Sequence, residues 1–189
     1  MKMALFRGLE RAPTFLVPII NPPFADTART PPPRSAKVLE KEKLHARYKR
    51  ICAQLEVLLK DKGNSISRMA TMAALLHHKM PHFFWTGFYL LDNGELVVGP
   101  YQGPLACQVL EKNTGVCWAG ILRRSTIVVS DVHKFPGHIA CDSRSNSEIV
   151  VPLLDKNGQP WAVLDVDSRK RDAFSNIDKQ WLEKISQLI

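Results

Sequence analysis

The chain has 189 residues, 45% of them hydrophobic, and 26 Lys+Arg against 18 Asp+Glu give a net charge of +8. That allows one ordinary domain with a sizeable core, and no apolar run approaches the roughly 18 to 20 residues that a membrane span requires. Nor does the charge mark a nucleic-acid surface, which needs a clustered basic face on the folded body. Residues 1–62 hold thirteen basic and six acidic residues, whereas residues 63–189 hold thirteen and twelve.

Seven of the 13 prolines lie within the first 33 residues, including Pro22-Pro23 and Pro31-Pro32-Pro33. Proline lacks an amide donor and fixes its own φ, so residues 1–35 are expected to form an unpacked N-terminal extension. Arg7, Arg11, Arg29 and Arg34 would suit an organellar targeting peptide, while Glu10 and Asp26 weigh against one. No secretory signal is recognisable, and four cysteines without one point to a reducing compartment. A cytoplasmic location follows, with organellar targeting by the extension left open.

From Ala36 to Lys62, Leu44, Tyr48, Ile51, Leu55 and Leu58 recur at helical spacing, with Cys52 packed beside them. Asn64 or Ser65 can cap a second helix whose inner face carries Ile66, Met69, Ala73 and Leu76 and which Pro81 ends. Strands are expected at 84–91 and 95–101, joined by Asp92-Asn93-Gly94, a turn that tolerates positive φ. Further strands are expected at 126–130, 149–154 and 162–167, the last two joined at Lys156-Asn157-Gly158. Ser175 and Asp178 form a capping box before a helix burying Ile177, Trp181, Ile185 and Leu188. The result is an α+β domain over residues 36–189, with a central antiparallel sheet flanked by N- and C-terminal helices.

The chemistry concentrates in DVHKFPGHIACDSRSNSEIVV, residues 131–151. There Cys141 lies in a polar loop beside His138, Asp142 and Arg144, an environment where a thiolate can form. Cys107 and Cys117 belong to QGPLACQVLEKNTGVCWAG, read as a glycine-rich loop able to bring a second thiol to the first. Spacing alone is equally compatible with three small buried hydrophobes. No CxxC pair is present, and no metal site is expected. Asp165 and Asp167 alternate along AVLDVDS and so project from one face of their strand, with Glu148 able to join them. Carboxylates on an apolar sheet are costly unless paired or solvated, which suits a cationic ligand. Trp85 and Tyr89 in WTGFYLL share a face and could wall a small apolar group or simply pack.

Taken together, WTGFYLL, ELVVGPYQGPLAC, GVC, DVHKFPGHIACDSRSNSEIVVPL and VLDVDS resemble, in order, the free methionine-R-sulfoxide reductases, a family built on one GAF domain. The resemblance covers about residues 38–189. It implies that Cys141 attacks the sulfoxide sulfur and becomes a sulfenic acid, and that Cys107 closes a disulfide on it. Cys117 is implied as an auxiliary or alternative resolving thiol. It further implies a thioredoxin-type reductant with no bound cofactor, and a substrate pocket lined by Glu148, Asp165 and Asp167 and walled by Trp85 and Tyr89. Trp118 departs from the small glycine usual in the family and is expected to alter either the mobility of the Cys117 loop or the pocket's edge. Two other roles remain open: a GAF-type small-molecule or redox-sensing module without turnover, and homodimerisation through the helix from Ala36 to Lys62.

Overall fold

The computed structural model describes residues 35–60, 63–138 and 141–189. The proline-rich head and its arginines lie outside these residues. The first helix, α1 (Ala36–Leu58), begins at Ser35, whose hydroxyl accepts a hydrogen bond from the Val38 amide. The second, α2 (Ser65–Lys79), is capped by Asn64, whose side-chain oxygen accepts from the Ser67 amide at 2.9 Å. Both caps satisfy donors that the first helical turn leaves unpaired.

The hairpin of β1 (Trp85–Asp92) and β2 (Glu95–Gln102) turns at Asn93 and Gly94, with φ of 47° and 82°. There follow β3 (Val109–Leu110), α3 (Gly115–Arg123), β4 (Ile127–Val129), β5 (Ser147–Leu154), β6 (Pro160–Ser168) and α4 (Asn176–Ser186). The strands form one antiparallel sheet in the order β3-β2-β1-β6-β5-β4. This is the α+β arrangement the hydropathy pattern implies.

The sheet separates two apolar layers. On one face Phe88, Ile149, Val151, Leu164 and Val166 pack against Tyr48, Leu55, Met69, Leu76, Leu182 and Ile185 of α1, α2 and α4. On the other face Trp85, Tyr89, Val150 and Val163 pack against Val116, Cys117, Trp118 and Ile121 of α3. β6 divides as its alternation requires: Leu164 and Val166 face the helical layer, while Val163 joins the α3 layer.

Several sequence expectations need correction. α1 ends at Leu58, and it is Leu59 that is buried while Leu58 stays exposed, because Leu59 continues the i, i+4 stripe from Leu55. In α2 Ile66 is exposed and Met72 takes the inner position. In α4 Asp178, Leu182, Ile185 and Ser186 are the buried residues, while Ile177, Trp181 and Leu188 are only partly covered. The largest departure is α3 itself, a helix in the segment read as loop.

Candidate active site

All eight residues singled out from the sequence line one cavity of about 240 Å³: Trp85, Tyr89, Cys107, Cys117, Cys141, Glu148, Asp165 and Asp167. The sheet creates the acidic floor. β5 and β6 pair so that Glu148 lies opposite Asp167 and Val150 opposite Asp165. Side chains of directly opposed residues share a face, so the three carboxyls converge.

Glu148 and Asp165 are each about 6% exposed. Burial drives the Glu148 carboxyl well above its usual range, and Asp165 and Asp167 add repulsion. Asp167 rises for the same reasons, burial first and Asp165 second, against a hydrogen bond from Ser145. Burial also lifts Asp165, to about 7, although hydrogen bonding with Cys117 and Glu148 opposes it. Asp165 Oδ1 has no hydrogen-bond partner in the structure. Three acids held this way favour protonated forms until a cation arrives.

Tyr89 and Trp85 stand over this floor with ring centroids 5.8 Å apart, and Tyr101 continues the stack at 5.3 Å from Trp85. Gly87 makes the stack possible. A Cβ there would run into Tyr101 Cβ and lie 2.6 Å from Trp85 Cη2. Tyr89 also donates a hydrogen bond from its hydroxyl to the Cys107 carbonyl at 3.2 Å. One residue therefore walls the cavity and tethers the segment bearing a thiol.

Cys107 and Cys141 form a disulfide with their Cα atoms 5.7 Å apart, at the cavity lining. Cys141 is solvent-exposed and Cys107 partly so, unlike a packing cysteine. Cys117 differs. It sits in the first turn of α3, 5% exposed, with Sγ 4.0 Å from Glu148 Oε1. Burial pushes its thiol well above the usual value, and Asp165 and Glu148 push it further. The expectation that Cys117 rides on a mobile glycine-rich loop is therefore corrected: in this disulfide state it is a neutral thiol on a packed helix. Trp118 is likewise buried on α3, 4% exposed, and is absent from the cavity lining, so it belongs to the core packing rather than to a mobile loop or the pocket's edge.

Cys117 Sγ and one oxygen each of Glu148 and Asp165 lie within 4.8 Å of one another, a set that a metal cation or an ammonium group could share. Two participants escaped the sequence reading as site residues. His138 lines the cavity with Nδ1 4.0 Å from Glu148 Oε2 and a buried Nε2 that has no partner. Burial, with His133 nearby, lowers its pKa, so the ring is held neutral. Its place within HIAC was the available signal. Tyr101 carried no such signal, because a β-bulge between Gly87 and Tyr89 shifts the register and puts Tyr101 opposite Gly87.

Comparison with known proteins agrees with this geometry. A family model described as GAF domain matches residues 72–189. GAF domain-containing protein A of Dictyostelium discoideum is 46% identical over 143 residues, spanning 75% of this chain and 89% of the relative. The free methionine-R-sulfoxide reductase of Escherichia coli (strain K12) is 39% identical over 138 residues, 73% of this chain and 83% of that enzyme. A solved free methionine-R-sulfoxide reductase from Neisseria meningitidis, in complex with its substrate, superposes with a TM-score of 0.73 at 37% identity. That match covers 82% of this chain and 89% of the other. Since sequence and fold agree over the whole pocket-bearing region, the chain belongs to the free methionine-R-sulfoxide reductase family of GAF domains.

Proposed function

We propose that this protein reduces free L-methionine (R)-S-oxide to L-methionine at Cys141. One observation carries the reading: a solvent-facing Cys107–Cys141 disulfide lines the same cavity as the buried carboxyls of Glu148 and Asp165 and the half-buried one of Asp167. Starting from the dithiol form, the Cys141 thiolate attacks the sulfoxide sulfur. The oxygen takes up a proton from Glu148, a reading supported by the burial that keeps its carboxyl protonated. Methionine departs and Cys141 is left as a sulfenic acid. The Cys107 thiol then displaces water to form the disulfide. A thioredoxin-type dithiol returns both sulfurs to thiols and is itself oxidised, so two electrons balance the oxygen removed.

Selection for the free amino acid follows from the floor. Its ammonium group supplies the cation that Asp165 and Asp167 lack, and a residue within a polypeptide has no such charge. Trp85 and Tyr89 would enclose the thioether end. Cys117 donates its S–H toward Glu148 and serves the acid cluster rather than acting as first resolving thiol. The exchange takes place in the cytoplasm.

The test supplies purified protein with separate R and S epimers of free methionine sulfoxide and a dithiol, then repeats the assay with Cys141→Ser. Turnover of the R epimer alone, abolished by the substitution, is expected. Binding without turnover would instead assign the pocket to a sensing module and end the enzymatic reading.

A further inference from the structure

The loop that bears Cys141 is held by more than the disulfide. A second hold is built on Arg144. Its guanidinium forks onto the carboxylate of Asp142, with Nε 2.9 Å from Oδ1 and Nη2 2.6 Å from Oδ2. The same guanidinium lies 5.0 Å from the centroid of Phe84, and that of Arg169 lies 4.2 Å from the same ring. Phe84 is in turn locked to the sheet, its amide donating to the Asp167 carbonyl at 2.8 Å. Asn146 stitches the two arginines' backbones together, donating to the carbonyls of Arg144 at 3.2 Å and Arg169 at 2.9 Å.

Two like charges on one ring repel unless a nearby anion offsets them, and Asp142, forked onto Arg144, supplies that charge. The hydrogen bonds from Arg144 hold its carboxyl down at about 2, so it stays charged at any working pH. Asp142 directly follows the nucleophilic sulfur. A displacement of the loop backbone that carries Cys141 away from Cys107 therefore pulls on the fork onto Arg144 or on the contact of Arg144 with Phe84.

We propose that Arg144 is a positioning residue for the redox pair, keeping Cys141 within reach of Cys107 when the disulfide is open. The mechanism is effective concentration: restricting the loop removes the entropy that closing the disulfide would otherwise lose. A lysine would preserve the charge but not the planar fork or the stacking on the ring. The proposal rests on Cys107 and Cys141 being the redox pair, but not on the identity of the sulfoxide.

The test is a redox equilibrium of the full chain against reduced and oxidised glutathione, with the Cys107–Cys141 pair quantified by alkylation and peptide mass. Arg144→Ala is expected to lower the oxidation constant about tenfold, a rise of about 30 mV in potential for this two-electron couple. Phe84→Leu should give a similar loss, the double variant little more than either, and Arg144→Lys only partial recovery. A constant for Arg144→Ala within twofold of the wild type would overturn the proposal. So would full rescue by lysine, or a fall in melting temperature with the potential unmoved. No sulfoxide enters this titration, so its outcome is separate from that of the epimer assay.

Discussion

The two faces of the sheet both bury carboxyl groups, and they treat them in opposite ways. Under the helical layer, Asp178 is fully buried yet fully provided for. Its Oδ1 accepts from the Tyr48 hydroxyl at 2.8 Å and lies 3.6 Å from His82 Nε2. Its Oδ2 accepts from the Ser175 amide and hydroxyl, both at 2.7 Å. Burial works to raise its pKa, but the nearby His82 ring and the hydrogen bonds from Ser175 and Tyr48 outweigh burial and hold it below normal. On the pocket face Glu148, Asp165 and Asp167 crowd one another, and their pKa values rise. An acid with its donors supplied by the fold is a structural part. Acids left short of donors are waiting for a ligand.

The largest effect expected from this contrast is on stability. Asp178→Ala strands the buried Tyr48 hydroxyl and dismantles the α4 cap together. It should cost about 3 kcal/mol, or about 6 to 12 °C in melting temperature for a domain of this size. A loss below 1 kcal/mol in a denaturant titration would show that the helical face does not depend on this acid.

Next in size is Gly87→Ala, which tests whether the pocket wall rather than the sheet needs a bare Cα. The added methyl would lie 2.9 Å from Tyr101 Cα and 2.6 Å from Trp85 Cη2, an overpacking worth about 2 kcal/mol. KM for the sulfoxide should rise several-fold as the aromatic stack is displaced. An unchanged KM would remove Trp85 from substrate enclosure.

The smallest effect sharpens the comparison most. In the ligand-free fold Asp165 keeps its proton up to about 7, but in the unfolded chain it loses it near 4. Between these values the folded state binds more protons, so this group's contribution to stability falls as pH rises. The unfolding free energy of the wild type relative to Asp165→Asn should therefore decline from pH 5 to pH 8, by an amount on the order of 1 kcal/mol. Asp178, with its lowered pKa, contributes in the opposite sense: its stabilisation is present above about pH 4 and lost as pH falls through the folded value. Parallel melting curves for wild type and Asp165→Asn would contradict a strained acidic floor.

Much of this was legible in the sequence because local chemistry dictated it. Asn93-Gly94 could hardly do anything but turn, Asn64 and Ser175 cap as their side chains allow, and even spacing put Asp165 and Asp167 on one face. What escaped depended on distant partners. Gly115 and Gly120 made α3 look like a loop, yet Gly120 is glycine because the helix presses on β5: a Cβ there would sit 2.9 Å from Val150 Cγ1. The capping box was visible, but the bond from Asp178 to Tyr48 spans 130 residues. For Cys117, residue type alone suggested a thiol relay, and only the fold set it beside Glu148 within a helix.

The sheet's outer strands carry one more lesson. β3 has two residues and β4 three, while each of the four inner strands has eight or nine. Short edges present few unsatisfied backbone groups to a neighbouring chain. The margins of the sheet thus offer little template on which copies of the chain could stack into fibrils.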